Sequence, residues 1–325
     1  MTLFLLTFFL IYAGTHVYAF LRTKAALAFG AATGIYLAAF MLLMIFAPII
    51  VRQLEKYGLE ISARLMSYTG YIWLAILFLF FSSSLAFDLY RFLVYAGGLI
   101  LRKDLSGIGI SVRLSFFISF FLAVIISFYG YFEARNIITE RIVIKTSKIS
   151  KETGRLKIVQ ISDVHIGLII REERLKRILE QVRTMSPDIL VSTGDLVDGQ
   201  INGLAGIAGL FKEINPRYGK FAITGNHEFY AGLDQALAFT REAGFLVLRG
   251  NALTVEGVIN IAGVDDPQGK TYGISKGVSE RELLSELQGD LFTLLLKHRP
   301  VVNKAAIGLF DLQLSGHVHK GQIFP

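Results

Sequence analysis

Cysteine is absent from the 325-residue sequence, and histidine is scarce, with six residues. Without thiols the chain can form no disulfide, no thiolate metal site, no iron–sulfur cluster and no cysteine nucleophile. Apolar residues, by contrast, are abundant: 53% of the chain is hydrophobic and the mean hydropathy is +0.53. This composition is too apolar for a soluble enzyme of this length and indicates membrane-spanning segments.

Four charge-free apolar runs of 19 to 27 residues occupy most of the first 135 positions. A helix needs ~20 apolar residues to cross the bilayer core, so each run is long enough to span it. The first run has no basic residue before its apolar core and is interpreted as an uncleaved span rather than a signal peptide. The runs are Met1–Leu21, Ala25–Val51, Ser67–Phe87 and Leu114–Phe132.

Two features of this region concern its arrangement in the membrane. Phe92–Leu101 lies between two arginines and is too short to span, so it is predicted to be an interfacial or re-entrant piece. The basic residues on the two sides of four spans are nearly equal in number, with a slight excess that favours a cytoplasmic C-terminal domain. We therefore expect a multi-pass protein of the cell membrane. Basic residues that flank the spans also explain the net charge of +7.

After Gly154 the sequence changes to an alternation of short apolar runs and amphipathic segments. Runs such as "LKIVQIS", "DILVSTGD" and "LFTLLLKH" are typical of buried strands, whereas "REERLKRILEQVRTM", "LAGIAGLFKEI" and "DQALAFTREAG" are typical of helices. The alternation predicts an α/β domain with a mostly parallel or mixed sheet and helices on both faces. The predicted domains are a four-helix transmembrane region at 1–134, a linker with the edge strand "ERIVIKTSKI" at 135–154, and the α/β domain at 155–325.

Polar residues that can bind metal ions follow each of the main predicted strands of this domain. The strand ends read "SDVH", "TGDLVD", "TGNHE", "LKHRP" and "SGHVH". Because ligands gather at the carboxyl ends of strands in open α/β sheets, we expect these side chains at one rim. Each motif alone has a structural explanation, such as an aspartate that caps a helix. Together they are better explained by a common site, because all five histidines outside the apolar region take part.

Imidazole and carboxylate groups together suit divalent ions such as Mn²⁺, Fe²⁺, Zn²⁺, Ni²⁺ or Co²⁺. Two such ions ~3.5–4 Å apart need a shared anionic ligand and separate outer ligands. Asp195 could be the shared ligand. Asp163 and His165 could complete one site, and Asn226 and His298 the other.

His317 and His319 lie two positions apart and can reach one ion each. The motifs "DVH", "GD", "GNHE", "KH" and "GHVH" follow one another in the order seen in the calcineurin-like metallophosphoesterase superfamily, which the chain resembles over about residues 155–325. The segments "ISDVHIGLI" and "GHVHKGQI" are similar to those of the branch of this superfamily that contains membrane-bound or exported bacterial phosphoesterases. The resemblance implies layered β-sheets flanked by helices.

The resemblance also implies two bound divalent ions, with Mn²⁺ favoured over Fe, Zn, Ni and Co. The implied ligands are Asp163, His165, Asp195 and His319 for one ion and Asp195, Asn226, His298 and His317 for the other. Two residues are implied to be catalytic: Asn226 would contact a phosphate oxygen, and His227 would protonate the leaving oxygen or stabilise charge. A metal-bound hydroxide would attack phosphorus in line.

We therefore predict a membrane-anchored phosphoric ester hydrolase, with a diester or lipid-linked substrate favoured because only about twenty residues separate the last span from the domain. One alternative is a non-catalytic metal-binding membrane module. Another is a nuclease, motivated by the basic stretch Arg135–Lys157. A juxtamembrane belt explains that stretch better, so nucleic acid is not the expected partner. The resemblance implies further strands beyond Gly-His-x-His, whereas this sequence stops at Pro325. We therefore expect a C-terminally short domain, either because the sequence is truncated or because the fold closes differently.

Overall fold

The computed structural model describes residues 2–199, 204, 206–287 and 289–319 of the chain. The chain divides into two compact units, Met1–Asn136 and Ile137–Pro325. The described part of the first unit is helical, and that of the second combines helices with two β-sheets.

Long apolar helices make up the first unit. They are α1 Thr2–Leu27, α2 Ala31–Ile45, α3 Ala47–Lys56, α4 Glu60–Leu101 and α5 Val112–Glu133. Small and aromatic side chains such as Ala19, Phe80, Phe116 and Ala123 form its core. Most other large apolar side chains of these helices are exposed. A helix that is apolar on its outer face as well as its inner face is typical of a membrane environment.

Two helical segments of the described chain are long and apolar enough to cross a bilayer, Glu60–Leu101 and Ser106–Glu133. α2 and α3 meet at a bend of 58° and add a third span if the pair counts as one. Pro48 in the first turn of α3 explains the bend, because proline cannot continue the hydrogen-bond ladder of the preceding helix. The first predicted run lies in α1, and the count of four spans stays a prediction.

α4 is 42 residues long and includes a stretch that was predicted to lie outside the preceding span. Phe92–Leu101, predicted to be an interfacial or re-entrant piece, continues the same helix, so the re-entrant alternative was wrong and the interfacial position stays a prediction. Arg91 does not interrupt the helix because its charge is satisfied locally. Its Nη2 donates to Asp88 Oδ1 at 2.8 Å and to Ser115 Oγ of α5 at 3.2 Å.

The segment 137–157 contains neither helix nor strand. The predicted edge strand "ERIVIKTSKI" is therefore wrong. Its β-branched residues favour extended backbone, but a strand also needs a ladder partner, and no described strand pairs with it. Ile142 and Val143 are accordingly 81% and 78% exposed.

Two four-stranded sheets form the centre of the second unit. The strands are β1 Ile158–Ile161, β2 Ile189–Ser192, β3 Lys220–Ala222, β4 Leu246–Val247, β5 Asn251–Val255, β6 Ile259–Gly263, β7 Phe292–Leu296 and β8 Leu312–Leu314. The first sheet has the order β1-β2-β3-β4 and is wholly parallel. In the second, β5-β6-β7-β8, only the β5–β6 pair is antiparallel.

Helices and short 3-10 turns cover these sheets. The α-helices are α6 Glu172–Met185, α7 Asn226–Ala231, α8 Leu233–Glu242, α9 Gln268–Thr271 and α10 Glu280–Ser285. The predicted helix "LAGIAGLFKEI" is a 3-10 helix, Ala208–Glu213, in its described part. Its glycines explain the difference, because glycine disfavours regular α-helix and Gly206 has φ +85°.

The layers follow from the alternation of side chains along the strands. Ile189 and Val191 of β2 and Leu294 of β7 share one core between the two sheets. Leu190 points to the opposite face, into a core with α6 and α8, and Leu295 points into a core with α10. The second unit is therefore two face-to-face sheets with helices outside, which confirms the predicted layered α/β fold.

Candidate metal centre

Loops that follow β1, β2, β3, β7 and β8 bring the predicted site residues together. Asp163 and His165 follow β1, Asp195 follows β2, Asn226 and His227 begin α7 after β3, His298 follows β7, and His317 and His319 follow β8. Six of the seven predicted metal ligands fall into two clusters of converging donor atoms. The seventh, Asn226, adjoins them through its neighbour His227, whose backbone N–H donates to Asp195 Oδ1 at 2.8 Å.

The first cluster contains Asp163, His165, Asp195 and His319, with one donor atom of each within 4.8 Å of all the others. His165 Nε2 and His319 Nε2 face each other at 3.2 Å. His319 Nε2 lies 3.5 Å from Asp163 Oδ1, and His165 Nε2 lies 3.9 Å from Asp195 Oδ2. Two imidazoles and two carboxylates aimed at one point are a suitable donor set for a divalent transition-metal ion.

The second cluster contains Asp195, His298 and His317. His298 Nδ1 donates to the Thr193 carbonyl at 2.8 Å, which leaves Nε2 facing the cluster. This Nε2 lies 3.2 Å from Asp195 Oδ2 and 3.1 Å from His317 Nδ1. Burial lowers the pKa of His298, but the Asp195 carboxylate outweighs burial and raises that pKa to about 9. Asp195 belongs to both clusters, as expected of a carboxylate that two metal ions could share.

Asn226 carries an independent sign that a ligand belongs here. The residue is 8% exposed, and its Oδ1 is buried without a hydrogen-bond donor among the described residues. A buried polar atom without a partner costs about 1–3 kcal/mol, so native structures rarely leave one unsatisfied. A cation next to this amide oxygen would satisfy it, and the residues present therefore fit a metal centre.

The backbone of the centre is held in an unusual conformation. Nine described residues other than glycine have a positive φ, and five of these are predicted ligands. The five are Asp163 at 52°, His165 at 52°, Asp195 at 50°, His317 at 73° and His319 at 46°. Left-handed backbone costs L-residues free energy and tends to persist at functional sites, where surrounding contacts enforce it.

The glycines of the "GD", "GN" and "GH" motifs let the loops approach one another. A Cβ on Gly194, whose φ is +94°, would lie 2.5 Å from the backbone nitrogen of Gly225 and 2.8 Å from His298 Nδ1. A Cβ on Gly316 would overlap the carboxylate of Asp163. Any side chain at these positions would therefore push the predicted ligands apart.

Glu228 fixes two of these loops and was given no role by sequence reasoning. Its fully buried carboxylate accepts hydrogen bonds from the backbone N–H groups of Gly225 at 2.7 Å, Leu196 at 2.8 Å and Asp195 at 3.0 Å. Burial, and then the negative charge of Asp195, raise the pKa of Glu228, while the three N–H groups oppose this rise. The acidic residue directly after Asn-His, in the first turn of α7, was the available signal.

His227 is oriented by Asp198, a second residue that the sequence reading did not assign. His227 Nδ1 lies 2.7 Å from Asp198 Oδ1, so the ring donates through Nδ1 and leaves Nε2 for other partners. Burial lowers the pKa of His227, but the hydrogen bond to Asp198 and the charge of Asp195 outweigh it and raise the pKa. Asp198 is the second aspartate of "GDLVDG", which could have indicated it.

A fixed cation stands beside the second cluster. Arg299 follows His298 and forms a two-point contact with Asp266, with Nε–Oδ2 at 2.7 Å and Nη2–Oδ1 at 3.0 Å. Asp266 is 1% exposed, so the guanidinium is held by a buried anchor. Burial, the charge of His298 and then the charge of Arg299 lower the pKa of His317. A planar, positioned guanidinium is suited to a phosphate oxygen.

Comparison with known proteins agrees with this geometry. The family model described as calcineurin-like phosphoesterase matches residues 156–321, which is about half of the chain and includes every residue of the two clusters. Among relatives, a protein described as an uncharacterized metallophosphoesterase from Aquifex aeolicus is 43% identical over 204 residues. That match covers 63% of this chain and 78% of the relative.

Two further relatives are more distant. A Helicobacter pylori protein described as an uncharacterized metallophosphoesterase is 33% identical over 218 residues, 64% of this chain and 56% of the relative. A Danio rerio protein named transmembrane protein with metallophosphoesterase domain is 30% identical over 193 residues, 56% of this chain and 44% of the relative. The matched segment thus spans about half the length of these two proteins. The chain belongs to the calcineurin-like phosphoesterase family.

Proposed function

We propose that the chain is a membrane-anchored phosphoesterase whose α/β unit holds two divalent metal ions. The observation that carries the proposal is the sharing of Asp195 between two clusters of donor atoms. One ion would be held by Asp163, His165, Asp195 and His319 and the other by Asp195, Asn226, His298 and His317. Mn²⁺ is the favoured ion, and Fe, Zn, Ni and Co suit the same imidazole-rich donor set.

When bound, two divalent ions supply positive charge for the phosphate oxygens and lower the pKa of an attacking water. The chain's own residues supply proton transfer and positioning. Asp198 accepts the proton of His227 Nδ1 in a hydrogen bond and so fixes the ring. His227 Nε2 then delivers a proton to the leaving oxygen, a role that its raised pKa supports near neutral pH. Asn226 contributes its Nδ2 hydrogens, and Arg299 its guanidinium, to phosphate oxygens.

A lipid-linked or membrane-proximal ester, with a diester favoured, is the proposed substrate class. Two described helices can cross a bilayer, and the segment 137–157 that follows them can extend over at most about 70 Å. A relative is named as a transmembrane protein, which supports the anchoring. The slight excess of basic residues favours a cytoplasmic position of the α/β unit.

The test uses the full chain, purified in detergent and supplied with Mn²⁺. We expect hydrolysis of p-nitrophenyl phosphate or bis-p-nitrophenyl phosphate, and about two metal ions per chain by elemental analysis. Asp195→Ala should lower kcat/KM by about a thousandfold or more and reduce the metal content, because both ions lose a ligand. Asp290→Ala, which removes an exposed carboxylate, is the matched control and should keep both.

Two results would overturn the proposal in different ways. Undiminished hydrolysis by Asp195→Ala would show that the clusters do not perform the reaction. Two bound ions without hydrolysis of either ester would instead support a non-catalytic metal-binding module.

A further inference from the structure

A cleft of about 750 Å³ lies in the first unit, between the C-terminal end of α4 and the beginning of α5. The connection between these helices, which includes the 3-10 turn Ser106–Ile108, folds back along α4 and forms one wall. The glycines of α4 permit this close approach. A Cβ on Gly98 would lie 3.0 Å from the Lys103 carbonyl oxygen, and one on Gly97 would lie 3.6 Å from Leu105 Cδ1.

The polar lining of the cleft is cationic. Arg91, Arg102 and Lys103 line it together with one acidic residue, Asp104, so its formal charge is +2. Asp104 is engaged locally, since its Oδ1 accepts a hydrogen bond from the Ser106 N–H at 2.8 Å. Within the described chain, the side chains of Arg102 and Lys103 form neither a hydrogen bond nor an ion pair with another residue. The cleft therefore carries a net positive charge, with the side chains of Arg102 and Lys103 paired to no other described residue.

The apolar side chains that line the cleft are exposed, unlike those of a protein core. Tyr95 and Leu99 line the cleft, yet they are 66% and 63% exposed. Exposed apolar side chains next to an excess of cations form an amphipathic surface. Such a surface matches a molecule that has an anionic head and a hydrocarbon body.

Two hydrogen bonds from α4 show at which level along the helices the cleft lies. Tyr90 of α4 donates to the Ile108 carbonyl at 2.8 Å, and Arg91 donates to Ser115 in the first turn of α5 at 3.2 Å. The beginning of α5 is thus level with Tyr90 and Arg91, and the last ten residues of α4 continue beyond it. If α4 and α5 cross the bilayer, as proposed above, the cleft lies at the level of the lipid headgroups.

We propose that this cleft binds an anionic membrane phospholipid, with the lipid phosphate on Arg102 and Lys103 and the upper part of an acyl chain along Tyr95 and Leu99. Arg91 contributes positive charge at the inner end, where Asp88 and Ser115 fix its guanidinium. The inference rests on the proposed crossing of the membrane by α4 and α5. It does not depend on hydrolysis at the metal centre.

The experiment titrates the full chain in a neutral detergent with phosphatidylglycerol and, separately, with phosphatidylcholine of the same acyl chains. Native mass spectrometry counts the bound lipid. We expect tighter binding of phosphatidylglycerol, and about twenty-five-fold weaker binding of it after Arg102→Ala with Lys103→Ala, at about fivefold for each cation near the membrane surface. Arg52→Ala with Lys56→Ala removes the same charge from exposed positions of α3 and should leave the affinity unchanged.

A second variant distinguishes the loss of positive charge from misfolding of the chain. Arg102→Lys keeps the charge and should retain the affinity for phosphatidylglycerol within about threefold. Equal affinity of the wild type for the two lipids, or wild-type affinity in the doubly substituted chain, would overturn the proposal. Competition by millimolar inorganic phosphate that abolishes lipid binding would also overturn it, because the cleft would then recognise a free anion. Mn²⁺-dependent hydrolysis, measured in parallel, separates failure of this inference from failure of the proposed function.

Discussion

At the scale of single residues, the centre depends on backbone that side chains normally avoid. Asp163, Asp195 and His317 all have a left-handed φ, and Asp195 and His317 each directly follow a motif glycine. The unfavourable conformation is maintained because neighbouring loops leave no space for another one. Gly194 and Gly225 therefore matter as much as the predicted ligands that they adjoin.

Gly194→Ala should disable the centre through crowding. The added methyl would lie 2.5 Å from the Gly225 nitrogen, on a backbone whose φ is +94°. We expect the free energy of unfolding to fall by at least about 3 kcal/mol and metal binding to be lost. Gly257→Ala is the matched control, since its φ is +70° but an added Cβ has nothing within 4 Å. It should cost about 1 kcal/mol and retain metal binding. Equal losses of unfolding free energy in the two variants, measured by calorimetry, would show that crowding at Gly194 is not the cause.

Asp198→Asn should change the pH dependence of hydrolysis. The substitution removes the carboxylate that supports the raised pKa of His227. Since a general acid acts in its protonated form, a lower pKa moves the basic limb of the kcat/KM profile to lower pH. Asp234→Asn, at an exposed position of α8, should leave the profile in place. A profile unchanged by Asp198→Asn would show that His227 does not donate the proton.

The sequence singled out the residues that the structure brings together in the two clusters, but not the residues that position them. His317 and His319 could be singled out because imidazoles are rare in this chain and stand beside other metal-binding groups. Glu228 and Asp198 act through backbone N–H groups and a histidine ring that become neighbours only in the folded unit. Apart from Gly225, which lies three positions before Glu228, their partners are about 30 positions away in sequence, where spacing carries no signal.

At the scale of elements, prediction succeeded where a pattern was long or repeated. The apolar runs of β1, β2 and β7 and the amphipathic pattern of α6 indicated the strands and the helix correctly. Short elements such as β4 and α9, of two and four residues, were not predicted, because tertiary contacts rather than local pattern define them. The prediction of a strand at "ERIVIKTSKI" was wrong for the same reason, because the extended backbone of this segment lacks a ladder partner.

Leu295→Ala tests whether the outer layer of the second sheet stabilises the unit. Leu295 is 0% exposed and packs towards α10. Removing its side chain should lower the free energy of unfolding by about 2–5 kcal/mol, because a cavity remains in a packed core. Val301→Ala, at a position that is 64% exposed, should change it by less than about 0.5 kcal/mol. Calorimetry of the two variants in detergent compares them, and similar losses would argue against the layered core.

At the scale of the whole molecule, two units with different surfaces share one chain. The first exposes apolar side chains on most of its surface, while the second buries them between and outside two sheets. Composition alone separated these regions, because average hydropathy differs sharply between the two halves. The arrangement of β5 antiparallel to β6 within a largely parallel sheet could not be read from composition, since it depends on chain direction in the folded unit.

Removal of metal should destabilise the folded chain. Ligands that bind only the native state stabilise it by mass action, by about 4 kcal/mol when the free ion exceeds its dissociation constant a thousandfold. A chelator should therefore lower the unfolding temperature of the wild type, and Mn²⁺ should restore it. Asp195→Ala should show little response to either addition, whereas Asp290→Ala should respond like the wild type. A wild-type unfolding temperature that ignores both additions would contradict the metal centre.

The order of the donors along the chain has a consequence during protein synthesis. His165 and His319 face each other although 154 positions separate them. A ribosome releases the apolar helices first, then the aspartates, and the final imidazoles only when β8 is complete. Until that moment both clusters lack a donor, so the growing chain contains the complete apolar unit before either cluster has its full set of donor atoms.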